Sequence, residues 1–169
     1  MGTGYGCTCN KCGYSYHANL GVGFMFPIVY KETVEAMKKG DYGVQGKKFF
    51  EEHPDGAIAC DTVIARCTEC GECGQVSDLT MYVPKKNIHP NAKRHGRWSV
   101  AMPFEGAEYY TSWELDEEFD VYEKYDHRCP KCNGRAEIIK DFENKLESGK
   151  LGCTKCDGTM EITGMIMWD

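Results

Sequence analysis

The chain has 169 residues and a formal net charge of −6, and 41% of its residues are hydrophobic. This composition allows an ordered core and argues against both wholesale disorder and a dedicated nucleic-acid binder. The longest apolar stretch, residues 20–30, is interrupted by Pro27 and is too short to span a bilayer. Because the first residues also show no secretory signal, we expect a cytoplasmic protein that does not enter a membrane.

The chain contains eleven cysteines, and most of them form pairs separated by two residues. The pairs are Cys9/Cys12, Cys67/Cys70, Cys70/Cys73, Cys129/Cys132 and Cys153/Cys156. In a reducing cytosol, such C-x-x-C pairs are typical of metal ligands rather than of disulfides. Two sulfurs on one tight turn can bind one ion, and a second such turn completes a tetrahedral site. The sequence therefore predicts two four-cysteine metal sites.

The first predicted site combines the turns CTCNKCGYSYH at residues 7–17 and ARCTECGECGQ at residues 65–75. Its expected ligands are Cys9, Cys12, Cys67 and Cys70. The pair Cys70/Cys73 is an alternative second half, but Cys67 directly ends a strand-like run and is favoured. CNKCGYSY resembles the first metal turn of rubredoxin, and CTECG resembles a second one. This resemblance covers only the two turns and implies a rubredoxin-like site.

Several side chains near these turns have other readings. His17 could replace one cysteine in a mixed site, although a surface or hydrogen-bonded histidine is the more common case where enough thiols exist. Cys7 and Cys73 are spare thiols, and Cys60 is expected to be a buried structural thiol. Iron is an alternative to zinc at the N-terminal site, because thiolates bind both metals. An iron–sulfur cluster is disfavoured because Ser77 stands where the bacterial cluster motif has its fourth cysteine.

Two helices are predicted between the metal turns. Tyr30, Val34 and Met37 recur at helical spacing, and their helix is expected to end at Gly40. A second short helix is predicted over residues 44–52, followed by an HPDG turn. We expect both helices to cap the N-terminal ribbon.

Charge changes sign in the middle of the chain. Residues 79–103 contain no acidic side chain, whereas residues 104–126 are strongly acidic. The basic side chains of the first stretch are Lys85, Lys86, Lys93, Arg94 and Arg97. They could contact the phosphates of a nucleic acid, but a solvated loop folded back on its acidic neighbour is favoured. Apolar residues alternate along the acidic stretch, which predicts a half-buried hairpin.

A ten-residue pattern occurs twice near the end of the chain, as CPKCNGRAEI at 129–138 and CTKCDGTMEI at 153–162. Each copy has a cysteine pair, a turn pair of Asn-Gly or Asp-Gly, and a strand-like run. The spacing of the copies fits a zinc pattern, so we expect them to be the two halves of one site. The expected ligands are Cys129, Cys132, Cys153 and Cys156. Residues 127–169 here resemble a zinc ribbon.

These features predict an α+β protein with two rubredoxin-like zinc ribbons, antiparallel hairpins, and one or two short helices inserted in the N-terminal ribbon. The expected domains are residues 1–103, with the helical insert and basic loop, and residues 104–169. Two Zn²⁺ ions per chain are expected. A site of four thiolates leaves no open position for water, and no hydrolase motif is visible. The sequence therefore favours a non-catalytic zinc-binding scaffold for a macromolecular partner, expected to be a protein. The alternatives are a rubredoxin-like electron carrier with iron in the N-terminal site, and a nucleic-acid binder acting through residues 85–97.

Overall fold

The fold is known from a computed structural model, which describes residues 2–90, 92–94 and 107–168, without the side chains of Lys93, Arg94 and Trp168. In chain order the strands are β1 Gly2–Cys9, β2 Ser15–Gly21, β3 Ala57–Ile58, β4 Thr62–Cys67, β5 Cys73–Ser77, β6 Met81–Pro84, β7 Lys93–Arg94, β8 Glu108–Tyr109, β9 Phe119–Glu123, β10 Ala136–Ile138 and β11 Met160–Trp168. The helices are α1 Phe26–Lys39, α2 Val44–Glu52, α3 Ser112–Glu118 and α4 Phe142–Glu147. The predicted α+β class with antiparallel sheets is confirmed, with four helices in the described part of the chain instead of one or two.

The chain folds into two compact units, and neither is a continuous segment. Unit 1 consists of Met1–Gly23, Asp61–Ser77 and Asp126–Asp169, and unit 2 consists of Phe24–Cys60 and Asp78–Tyr125. This division differs from the contiguous segments 1–103 and 104–169 expected from the sequence. The physical reason is strand pairing between distant segments, since β1 pairs with β11 and β4 pairs with β10.

Unit 1 is built on a six-stranded sheet. Its strand order is β10-β4-β2-β1-β11, and β5 pairs with the remaining part of β4. Alternate residues of β1 face the core, so that Tyr5, Cys7 and Cys9 are buried on one face. They pack with Leu20, Ile64, Phe142, Leu146 and Met160, among others. Strand β1 ends at Cys9 and strand β4 ends at Cys67, so each of them leads into a predicted metal turn.

Unit 2 contains the two helices predicted between the metal turns. The prediction of a helix through Tyr30 and Met37 is confirmed by α1, and the second predicted helix coincides with α2. Pro27 lies in the first turn of α1, where its missing N–H is not needed. Gly40 ends this helix in a left-handed conformation with φ 94°. Both helices belong to unit 2, whereas the candidate metal ligands are all in unit 1.

The hairpin predicted in the acidic stretch is wrong in its first half. Residues 112–118 form α3, and only β9 after it is extended. The helix begins with a capping box, in which the backbone N–H of Thr111 donates to Glu114 Oε2 at 3.0 Å. Leu115 then packs with Ala57, Ala59 and Phe119 in the core of unit 2. The capping signal at Thr111 therefore outweighs the alternation of apolar residues.

No helix among the described residues combines the length and the apolar character needed to cross a membrane.

Candidate metal centres

Two groups of four cysteines converge within unit 1. The outer site consists of Cys9, Cys12, Cys153 and Cys156, and the inner site consists of Cys67, Cys70, Cys129 and Cys132. Within each site the four Sγ atoms lie within 4.8 Å of one another. The names outer and inner refer to the chain, because the four ligands of the inner site lie between the two halves of the outer one. These are the eight cysteines that the sequence singles out.

The spacing of the sulfurs fits a tetrahedral metal ion. In the outer site the Cys9–Cys156 and Cys12–Cys153 Sγ atoms are 3.6 and 3.7 Å apart. In the inner site the Cys67–Cys132 and Cys70–Cys129 separations are 3.4 and 3.7 Å. Four thiolates at about 2.3 Å from a central Zn²⁺ would be about 3.8 Å apart, whereas a disulfide requires about 2.05 Å. The two sets of thiols therefore suit a metal ion held by four cysteines.

The predicted pairing of the halves is wrong. Cys9/Cys12 is expected from the sequence to join Cys67/Cys70, but the structure brings it to Cys153/Cys156. The two copies of the repeated pattern likewise lie in different sites, so that Cys129/Cys132 meets Cys67/Cys70. Of the four ligand pairs in chain order, counted without Cys70/Cys73, the first thus joins the fourth and the second joins the third.

The strand register explains this nested pairing. Cys9 at the end of β1 lies opposite Met160, which is four residues after Cys156. Cys67 at the end of β4 lies opposite Ala136, which is four residues after Cys132. Strands β2-β1-β11 and strands β5-β4-β10 therefore repeat one arrangement, each around its own site. Each copy of the repeated sequence therefore supplies one half of a different site. Cys153/Cys156 is completed by Cys9/Cys12, and Cys129/Cys132 is completed by Cys67/Cys70.

The turns of the first and second cysteine pairs are shaped by the same backbone contacts. The amides of Lys11 and Cys12 donate to Cys9 Sγ at 3.4 and 3.5 Å. The amides of Glu69 and Cys70 donate to Cys67 Sγ at 3.4 Å each. A glycine in the left-handed conformation, Gly13 or Gly71, follows each pair and lets the chain fold back under the sulfurs.

These backbone hydrogen bonds favour the thiolate form. At Cys9 they come from Cys12 and Lys11 and lower the thiol pKa to about 6. At Cys67 the amide of Cys70 is the main cause of a pKa lowered to about 6. Because a thiolate is the form that binds metal, these hydrogen bonds favour metal binding at Cys9 and Cys67.

The sequence analysis does not predict the network of charged side chains that surrounds Glu72. Lys131 Nζ and Lys155 Nζ contact Glu72 Oε2 at 3.0 and 3.2 Å. Hydrogen bonds from these lysines, first Lys131 and then Lys155, hold the pKa of Glu72 below its ordinary value. Tyr14 also donates its hydroxyl to Glu72 Oε1 at 3.3 Å. The available signal was the lysine that precedes the second cysteine in both copies of the repeat.

The structure places the other candidate residues outside the two sulfur clusters. Cys73 is buried near Thr154, at 3.9 Å from its Oγ1. Burial also raises the pKa of the Cys7 thiol to about 11. Cys60 is buried in unit 2, and His17 is exposed on β2. None of these four side chains belongs to a metal-binding group among the described residues.

Part of the basic stretch contacts its acidic neighbour. Lys85 Nζ donates to the carbonyl oxygens of Asp116 and Glu117 at 2.7 and 2.9 Å, at the end of α3. Lys86 is exposed, and Lys93 and Arg94 form β7 opposite β8. Arg97 lies outside the described residues. Nucleic-acid binding through this stretch stays a prediction.

The chain matches no protein-family model, no curated protein and no solved structure.

Proposed function

We propose that this protein is a non-catalytic zinc-binding scaffold, in which two structural four-cysteine sites in rubredoxin-like ribbons hold a surface that engages a protein partner. The observation that carries the proposal is the approach of four thiols to within 4.8 Å at each site. An ion bound by four thiolates has no open position for water or substrate, so its chemistry is to stabilise the fold. Binding of a structural Zn²⁺ contributes on the order of 10 kcal/mol or more, comparable with the whole stability of a domain.

The strand β11 supports the second part of this proposal, because it offers an uncovered apolar edge. It ends the strand order of the unit 1 sheet, and among the described residues β1 is its one strand partner. Met165, Ile166 and Met167 on it are 65%, 62% and 63% exposed. No charged residue or proline, the usual protection of an edge strand, occurs between Ile162 and Trp168. An extended apolar segment of another protein, which needs no charged groups to match, is therefore the occupant that suits this edge.

Electron transfer through iron is the second candidate, and the amide-to-sulfur contacts at Cys9 favour it. Hydrogen bonds to ligand sulfurs tune the reduction potentials of iron–thiolate sites. Cys12 of the same site is exposed, which would allow an electron to pass to a partner. The same contacts stabilise a thiolate bound to either metal, so they do not displace zinc as the leading assignment.

Elemental analysis of the purified full chain, together with its visible spectrum, tests the assignment. We expect two zinc ions per chain and no visible absorption, because zinc thiolate sites are colourless. One or more iron ions with visible absorption would instead favour the electron carrier. A folded chain that contains no metal would overturn both candidates.

A further inference from the structure

The turns of the two candidate sites touch each other directly. Lys155, between two ligands of the outer site, donates from Nζ to the carbonyl oxygen of Cys70 at 2.8 Å. The neighbouring Thr154 donates its hydroxyl to the carbonyl oxygen of Gly71. Lys155 also reaches Glu72 Oε2 at 3.2 Å and lies 5.2 Å from the centre of the Tyr14 ring. The contacts of Thr154 and Lys155 with the inner-site loop 70–72 therefore join the outer site to the inner one.

The two lysines of the sequence repeat differ in what they join. Lys131 and Lys155 occupy the same position in their copies, one residue before the second cysteine. Lys131 contacts Glu72 from within the inner site and is 64% exposed. Lys155 makes its contacts across the two sites and is only 27% exposed. One repeat position therefore stabilises a single site in one copy and joins two sites in the other.

We propose that the two sites bind metal cooperatively, and that Lys155 and Thr154 transmit the coupling. A metal in the inner site fixes the loop 70–72, whose carbonyl oxygens and carboxylate are the acceptors for Lys155 and Thr154. The outer turn then finds its partners already in place and loses less conformational freedom when its own metal binds. This inference rests on the proposed metal binding at both sites and adds the coupling between them.

Chain connectivity favours the inner site as the first to close. Cys70 and Cys129 are separated by 59 residues, whereas Cys12 and Cys153 are separated by 141. Since the probability of closing a flexible loop falls as about the 3/2 power of its length, the inner site has an advantage of roughly fourfold.

The experiment removes zinc stepwise from the loaded full chain with a chelator and counts the zinc ions on each molecule by native mass spectrometry. Two independent equal sites would give about half of the molecules one zinc when half of the metal has been removed. A coupling of about tenfold, within the usual range for coupled sites, lowers this one-zinc fraction to about one quarter. We expect this low fraction in the natural chain. A one-zinc fraction of half or more there would overturn the inference.

The variant Lys155→Met removes the lysine that crosses between the sites, and Lys131→Met is its matched control from the other copy of the repeat. We expect K155M to raise the one-zinc fraction from this low value toward half, and K131M to keep it near the low value of the natural chain. Equal behaviour of the two variants would overturn the inference. T154V, which removes the hydroxyl donor to Gly71, replaces K155M in this comparison if K155M does not fold. Failure of the natural chain to hold two zinc ions would instead overturn the proposed function.

Discussion

Gly71 is a residue whose two constraints come from different levels of structure. Its φ is +68°, a left-handed conformation that the metal turn requires. A Cβ at this position would also lie 2.6 Å from the carbonyl oxygen of Thr154, in the turn of the other site. The sequence indicates the first constraint, because Gly directly follows the cysteine pair. The second depends on a residue 83 positions away.

Gly71→Ala is expected to lower the free energy of unfolding of the zinc-loaded protein by at least about 1–2 kcal/mol. The physical reasons are the left-handed backbone and the backbone oxygen that the new methyl group would have to displace. Urea unfolding measures the change. Gly74→Ala is the matched control, since no heavy atom lies within 4 Å of its Cβ position, and it should change stability by less than about 0.5 kcal/mol. Equal losses in both variants would contradict this account of Gly71.

At the scale of elements, the sequence predicts helices α1 and α2 from local signals but does not predict which strands pair. Helices α1 and α2 carry their own periodicity and end signals, and the sequence predicts both. The segment of α3 is predicted as a strand because its apolar residues Trp113 and Leu115 are two positions apart, and seven residues are too few to distinguish the helical period from the strand period. The strands β10 and β11 are predicted as runs after their metal turns, but the pairing of β10 with β4 and of β11 with β1 is not.

The edge of β11 should bind extended apolar peptides. A displayed library of random peptides, selected against the zinc-loaded protein, is expected to become enriched in β-branched and aromatic residues, because these pack best along an apolar strand. Ile166→Lys places a charge on this edge and should reduce binding of the selected peptides by at least about tenfold. As a control, Val44→Lys changes an 80% exposed apolar residue of α2 and should leave binding intact.

Two results would count against this peptide site. Selected sequences without apolar bias, or equal binding by the natural protein and I166K, would show that β11 is not the binding edge. Self-association of the protein that I166K abolishes would assign the edge to a second copy of the chain instead.

At the scale of the whole molecule, we expect the two units to depend on metal to different extents. Unit 1 joins three separate chain segments and contains all eight candidate ligands. Unit 2 has its own buried core, which includes Ala57, Leu115 and Phe119, and Cys60 is the single cysteine of its described residues. Zinc binding should therefore stabilise unit 1 directly, with unit 2 held mainly by apolar burial.

Removal of zinc with a strong chelator should unfold unit 1 and leave the helices of unit 2 in place. Hydrogen–deuterium exchange measures this difference, since amides of β1, β2 and β4 are expected to lose protection while those of α1 and α2 keep it. Chelator already saturated with zinc is the control and should leave every amide unchanged. Simultaneous loss of protection in α1 and α2 would mean that the two units unfold as one.

The features that the sequence alone predicts correctly are local. The cysteine pairs, the glycines after the first two pairs and the periodicity of α1 and α2 act over a few residues, so they can be read in a short window. The joining of the first ligand pair to the fourth, and of the second to the third, depends on the tertiary structure. Each cysteine pair has equivalent chemistry and could bind with any other, and the combination that spacing along the chain favours, Cys129/Cys132 with Cys153/Cys156, is not the one that the structure brings together. The sheet distinguishes them, because β11 pairs with β1 and β10 pairs with β4, and each pairing brings one pair of thiols to its partner.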